Sequence, residues 1–339
     1  METYSKIHEF LKDAPYITEE HLRTVAGSYL QHPGKALRPR LMALCCEAAG
    51  GNPDAALAAG AAVEMFHTWS LMHDDIIDHD SLRRGHPTAH VAGARLGKKD
   101  LLLADDSATD YGQALAILGG DLLLAHAIGR MTEASPVLGL RMCRKLAPEL
   151  LSGEQLDIRI SYLPWEQLTE EQVWKMMRGK TGALFAFAAE CGVSIAQGIS
   201  PDESPLARTL AAFASGCGLA FQLADDLLGI FGEEKTFGKP IGSDIREGKR
   251  TLLMLRTWNA ASTEDRRRLG TILGNSHTTE AEIAWVRNLV ESGGIRAEIE
   301  TLAENTLSEA IDSMENALPP SPPRQQLRLW AESLVKRVK

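Results

Sequence analysis

Long alanine- and leucine-rich stretches with apolar residues at helical spacing recur along this sequence, and almost nothing in it reads as a strand. They run over 37–49, 55–73, 111–134, 137–157, 170–192, 206–231 and 281–318. The predicted fold class is therefore all-α. Residues 55–71 and 206–228 are apolar on most faces, as in helices at the centre of a bundle. Glycine and proline breaks at 50–53, 83–87, 164, 198–205 and 232–248 are predicted as loops. Four prolines within 318–323 stop one helix before a last amphipathic one over 325–338. Residues 97–111, with their Lys and Asp clusters, read as a polar surface loop in which Asp105 and Asp106 bind nothing. Length leaves the domain count open, and no repeat or linker is visible.

Charge and cysteine usage narrow the function. The formal net charge is −9, so the basic footprint of a nucleic-acid binder is missing, although a local basic pocket is allowed. The first residues lack the apolar centre of a signal peptide, and no apolar run is expected to reach bilayer-spanning length, which reads as cytoplasmic with no integral membrane segment. Cys45 and Cys46 are adjacent, and Cys143, Cys191 and Cys217 are scattered, so buried, reduced thiols are expected rather than a zinc or disulfide framework.

Two segments carry chemistry. In the first, an apolar helix ends in Asp74, Asp75 and Asp78, and the four-residue spacing of Asp74 and Asp78 puts two carboxylates on one helical face. Like charges so placed weaken a helix unless a cation joins them, and magnesium, which shares oxygen ligands with substrate phosphates, is the natural candidate. A solvated helix end is the plainer reading of this segment alone. The second segment repeats the arrangement: an apolar helix delivers Asp225 and Asp226, then opens into a glycine-rich stretch with Lys239, Asp244 and Lys249. Two acid-bearing helices facing each other across a bundle could hold several cations over one diphosphate.

The cations argue for diphosphate. Lys35 and Arg38 precede a helix, Arg83 and Arg84 follow the first acids, and Lys180 with Thr181 interrupts another apolar helix. Each alone is more often a surface charge; the set is not. His67 lies seven residues before Asp74, on nearly the same face, Gln222 precedes Asp225 by three, and Asp157 is placed to hold a lysine or water. His73 reads as a core or supporting group.

Taken in order, GKALRP from Gly34, HDDIIDHDSLRRGHPTAH from His73, LGGD at 118–121, GEQLD, KTG, FQLADDLLGIFG and GKPIGSDIREGKRT closely resemble the trans-isoprenyl diphosphate synthases, or polyprenyl synthetases. The resemblance covers about three quarters of the chain. It implies a single domain over 1–339, long helices around a deep cavity, a homodimer, and three magnesium ions. By that likeness Asp74 and Asp78 hold two ions and Asp225 the third. Arg83, Lys180, Thr181, Gln222, Lys239 and Lys249 line the allylic diphosphate, and Lys35, Arg38, His67 and Arg84 hold isopentenyl diphosphate. Gly229 stands where the second cluster's third acid would be, Glu154 where glutamine is common, and the stretch between His90 and Gly120 is longer than in many relatives.

The implied reaction is the head-to-tail joining of isopentenyl diphosphate to an allylic diphosphate. Cations and the dipoles of Lys180, Thr181 and Gln222 stabilise charge as diphosphate departs, and the released diphosphate takes the final proton. Product length is expected to depend on Trp69 and Ser70, about one turn before Asp74, and on Phe66 a turn further. Trp69 as a floor predicts C20 geranylgeranyl diphosphate, with C15 farnesyl diphosphate the alternative; core packing is the plainer role for Trp69. A terpene cyclase on the same scaffold would leave Lys35, Arg38, His67 and Arg84 unexplained. A non-catalytic partner subunit is expected to lose acids that this chain keeps.

Overall fold

The computed structural model describes residues 19–30, 34–232 and 242–335. The helices in chain order are α1 (Glu20–Ala26), α2 (Leu37–Ala48), α3 (Leu57–Ile77), α4 (Ala89–Leu101), α5 (Asp105–Ala134), α6 (Pro136–Arg141), α7 (Ala147–Ser161), α8 (Glu170–Met177), α9 (Ala183–Gln197), α10 (Pro205–Phe231), α11 (Ser243–Glu247), α12 (Leu252–Ala260), α13 (Thr263–Ile272), α14 (Glu280–Ser292), α15 (Ile295–Ala317) and α16 (Pro322–Val335). The strands among the described residues are β1 (Leu82–Arg83) and β2 (His86–Pro87), paired antiparallel with Arg83 opposite His86. The all-α expectation holds.

The chain divides into two compact units. One comprises the residues up to Arg144 together with Ala188–Ala207. Here α5 is the central helix, packed by α1, α3, α4 and α6. Glycines let backbones meet: a Cβ on Gly93 of α4 would lie 2.9 Å from Gly112 Cα of α5, so a side chain at either would push the helices apart. The other unit comprises Lys145–Phe187 and the residues from Arg208 on. Its core gathers Trp165, Leu223, Leu227, Leu253, Val286 and Ile299, with Trp165 stacked on Trp258 at 5.0 Å. Capping boxes at Thr169 with Gln172 and at Thr279 with Glu282 fix the starts of α8 and α14.

Several expectations are corrected. Residues 97–111 are not a loop: α4 runs to Leu101 and α5 starts at Asp105, leaving 102–104 between them. The charges that read as solvent-facing loop instead serve a helix start, with Asp105 and Asp106 in the first turn of α5 and Lys98 2.7 Å from Asp105. The predicted helix over 281–318 is two helices, parted at Gly293 and Gly294, the latter at φ 73°. The stretch over 137–157 is α6, a π turn at Met142–Leu146, and α7; that over 170–192 is α8, a π turn at Arg178–Gly182, and α9. Helices α12 and α13 were not among the predicted stretches, and the last helix begins at Pro322 rather than 325. Most of the predicted loop 232–248 lies outside the described residues; its end forms α11.

Cys143 is exposed, contrary to the expectation that all five thiols are buried. Two helices, α5 and α10, are long and apolar enough to cross a membrane, which corrects the expectation that no such run exists. Of their most apolar windows, 33% of α5 and 50% of α10 is buried within the protein.

Candidate active site

The first acids sit at the C-terminal end of α3. Asp74 and Asp78 are half-buried, whereas Asp75 between them is fully buried. The helix carries the acids at its end, as the sequence suggested, running through Ile77 with Asp78 as its C-cap. His79, at φ 57°, then reverses the chain in a Schellman arrangement: the His79 N–H donates to Ile76 O (3.3 Å) and the Asp80 N–H to Asp75 O (3.0 Å). This termination fixes where the carboxylates of Asp74 and Asp78 emerge. His67, Ser70, Asp74 and Asp78 are spaced by three or four residues and so share one face.

Asp75 is engaged by protein. Arg83 Nε donates to its Oδ1 (2.9 Å) and Oδ2 (2.8 Å), and Arg83 Nη2 donates to Oδ1. Tyr29 Oη donates to Oδ2 as well. Burial alone would lower the Arg83 pKa, but the hydrogen bonds and charge of Asp75 hold it above the usual arginine value.

Arg38 and Arg84 lie with His67 around a carboxylate not singled out by the sequence motifs. Burial pulls the Arg38 guanidinium down to about 10, so it stays charged at neutral pH, helped by Glu64 and opposed by Arg84. Glu64, one turn before His67 on α3, is only 7% exposed; burial raises its pKa while Arg38 and Arg84 pull it back. Burial, then Arg38, Arg83 and Arg84, keep the His67 imidazole well below the ordinary value, so it is neutral at pH 7. Gly34 lies flat against the Arg84 guanidinium, where a Cβ would collide with it. Lys35 is exposed. The structure thus brings Arg38, His67 and Arg84 together as expected, around a buried Glu64.

In the other unit, the backbones of α7 and the π turn touch at Gly153 and Gly179, where a Cβ on Gly179 would lie 2.8 Å from Gly153 Cα. That contact places Lys180, on the π turn, with its Nζ 2.7 Å from Asp157 and 3.0 Å from Glu154. Asp157 holds a lysine, as the sequence suggested. Thr181 Oγ1 donates to Gln222 Oε1 (3.0 Å), and Gln222 Nε2 donates to Asp226 Oδ1 (2.9 Å). The Gln222 amide thus bridges Thr181 and Asp226, using one Oε1 lone pair and one Nε2 hydrogen. Asp226 is buried, and burial raises its pKa well above the usual carboxylate range, with Asp244 and Asp225 adding to the shift. Asp225 is half-buried on α10, and Lys249 lies 3.2 Å from Glu247. Lys239 lies outside the described residues.

The donors are carboxylates, which suits a hard cation. Among the described residues no three His, Cys, Asp or Glu side chains come together as a metal cage.

The predicted chain-length residues diverge. Phe66 and Trp69 are buried and meet edge to face at 4.9 Å, and Trp69 meets His73 at 5.8 Å. A Cβ on Gly120 would lie 3.3 Å from Trp69 Cδ1, so the indole packs against α5. Ser70, half-buried, donates to His67 O (2.8 Å) and shares the Asp74 face.

The sequence profile of the polyprenyl synthetase family matches residues 19–290. The chain belongs to the polyprenyl synthetase family. This polyprenyl synthetase is a prenyltransferase. It is 31% identical over 346 residues to a geranylgeranyl diphosphate synthase of Sulfolobus acidocaldarius, covering 100% of this chain and 97% of that one. It is 33% identical over 312 residues to a (2E,6E)-farnesyl diphosphate synthase of Mycobacterium bovis, covering 90% and 80%. Its fold is similar to a crystal structure of geranylgeranyl pyrophosphate synthase from Corynebacterium glutamicum complexed with isoprenyl diphosphate and magnesium (TM-score 0.87, 28% identity, 99% and 97% coverage).

Proposed function

We propose that this polyprenyl synthetase condenses isopentenyl diphosphate head to tail with allylic diphosphates to make a short-chain trans-prenyl diphosphate, C20 geranylgeranyl diphosphate. The observation that carries the reading is the pairing, within one unit, of two same-face carboxylates with the separate cluster of Arg38, His67 and Arg84. A terpene cyclase has no use for a second diphosphate pocket, and a non-catalytic subunit has no use for intact acids. Relatives named for geranylgeranyl diphosphate support the C20 product.

Asp74, Asp78 and Asp225 would hold magnesium, three ions by family likeness, and magnesium would neutralise the diphosphate as it leaves. Arg83, Lys180, Thr181, Gln222, Lys239 and Lys249 bind the allylic diphosphate. Lys35, Arg38, Arg84 and a neutral His67 bind isopentenyl diphosphate, its imidazole donating a hydrogen bond. Lys180, Thr181 and Gln222 stabilise the developing allylic cation. Phe66, Trp69 and Ser70 set product length. The whole chain acts as one catalytic domain, as a cytoplasmic homodimer. The exposed apolar side chains of Ile117, Leu118, Val137 and Leu140 support the dimer.

The test is incubation with magnesium, isopentenyl diphosphate and, separately, the C5, C10 and C15 allylic diphosphates, with products sized by mass spectrometry. A C20 diphosphate is expected. A C15 or longer product keeps the reaction and overturns the length; a hydrocarbon from the allylic substrate alone overturns the reaction. Trp69→Ala is expected to lengthen the products while costing about 3–5 kcal/mol of stability, the usual loss for a truncated core aromatic. An unchanged product profile in the folded variant removes Trp69 from length control.

A further inference from the structure

Arg83 sits on a hairpin too short to hold it. Strands β1 and β2 have two residues each, Leu82 and Arg84 on either side are exposed, and Arg84 and Gly85 take positive φ of 54° and 77°. A ribbon of that size has little stability of its own. The direction of the Arg83 guanidinium must therefore come from what grips its side chain, which is Asp75: the carboxylate takes Nε and Nη2, and the Nη1 edge is left as the face a ligand can meet.

Asp75 is in turn gripped by Tyr29, a buried residue in the turn after α1. The Tyr29 oxygen accepts the Ala89 N–H at 3.1 Å. Ala89 is the first residue of α4, and its N–H is one of the helix-start donors that no carbonyl within the helix can satisfy. With that N–H arriving at the oxygen and a carboxylate as its other neighbour, the hydroxyl proton points at Asp75. Tyr29 thereby ties three separate pieces of chain: the turn after α1, the acid-bearing end of α3 and the start of α4. The hairpin with Arg83 is strung between the last two.

We infer that Tyr29 is a positioning residue for the allylic diphosphate: through Asp75 it fixes the fork that aims Arg83. The inference rests on the reading of Arg83 as a ligand of that diphosphate. A hydrogen bond to a charged group lost from such a chain weakens what it aims by roughly tenfold.

Tyr29→Phe is therefore expected to raise KM for the allylic diphosphate by about tenfold and to leave KM for isopentenyl diphosphate unchanged. In an Arg83→Ala background, Tyr29→Phe is expected to have no further effect on either constant, because the group it aims is gone. Equal rises in both KM values, or a lowered unfolding midpoint with both KM values intact, would overturn the inference. If Arg83→Ala raises the allylic KM and Tyr29→Phe does not, the inference alone fails; if Arg83→Ala leaves it unchanged, the reading of Arg83 fails first. Should Tyr29→Phe not fold, Asp75→Asn cuts the same chain one link later, and an unmoved allylic KM in that variant overturns the proposal equally.

Discussion

Single residues here are set by the charges around them. His67 is the clearest case, because burial and three arginines keep its imidazole neutral in the folded protein while the unfolded chain titrates near 6.5. Below about pH 6.5 the unfolded state binds a proton that the folded state refuses, so stability falls as pH drops through that window, by up to about 1.4 kcal/mol per pH unit for one group. The contribution is fully present above pH 6.5, in keeping with a histidine whose folded pKa is depressed. His67→Gln, denatured in urea at a series of pH values from 7.5 to 5.5, is expected to lose stability less steeply than the parent. Parallel curves would show that His67 titrates alike in both states. Glu64 carries a related lesson. The motifs announced the cations, yet the carboxylate packed among them was invisible, because a glutamate in an apolar helix carries no mark of which neighbours it faces.

Among the elements, ends decide more than middles. The end of α3 governs where Asp74 and Asp78 emerge, and it closes through a non-glycine residue in left-handed conformation, His79 at φ 57°. Such a conformation costs an ordinary residue roughly 1 kcal/mol relative to glycine. His79→Gly is expected to raise the unfolding free energy by about 0.5–1 kcal/mol, with both KM values unchanged, measured by denaturant titration and steady-state kinetics. A loss of activity in that variant would mean that the His79 side chain does more than close the helix. This scale also shows what the sequence could and could not reveal. Helical spacing disclosed the long helices, and the acids and cations could be named, because those signals are local. The π turn carrying Lys180 and Thr181 was legible only as an interruption. The Tyr29–Asp75 bond was not legible at all, since its partners stand 46 residues apart and no local pattern joins them. Residues 97–111 misled for the opposite reason: charges at a helix start and charges in a solvated loop have the same composition.

For the molecule as a whole, the question is what covers the apolar face of α5. Ala114, Ile117, Leu118, Asp121 and Ala125 are all exposed and recur at helical spacing, and Val137 and Leu140 of α6 are exposed too. By length and composition α5 could cross a bilayer, but its stripe contains Asp121, and a carboxylate carried to mid-bilayer costs at least about 2.5 kcal/mol. A protein partner accommodates Asp121 far more readily, since its carboxylate lies 3.8 Å from the His73 ring nitrogen and can keep polar company at an interface. A second copy of the chain offers the same stripe, so an isologous pair buries both faces at once and leaves no open end for further growth. Leu118→Glu places two new like charges near such a two-fold contact and is expected to shift the protein from dimer to monomer in light scattering at micromolar concentration. If the parent itself runs as a monomer, the stripe has another partner and the homodimer reading falls. If the variant stays dimeric, the pairing uses a different face, and the apolar stripe of α5 must be explained by something other than self-association.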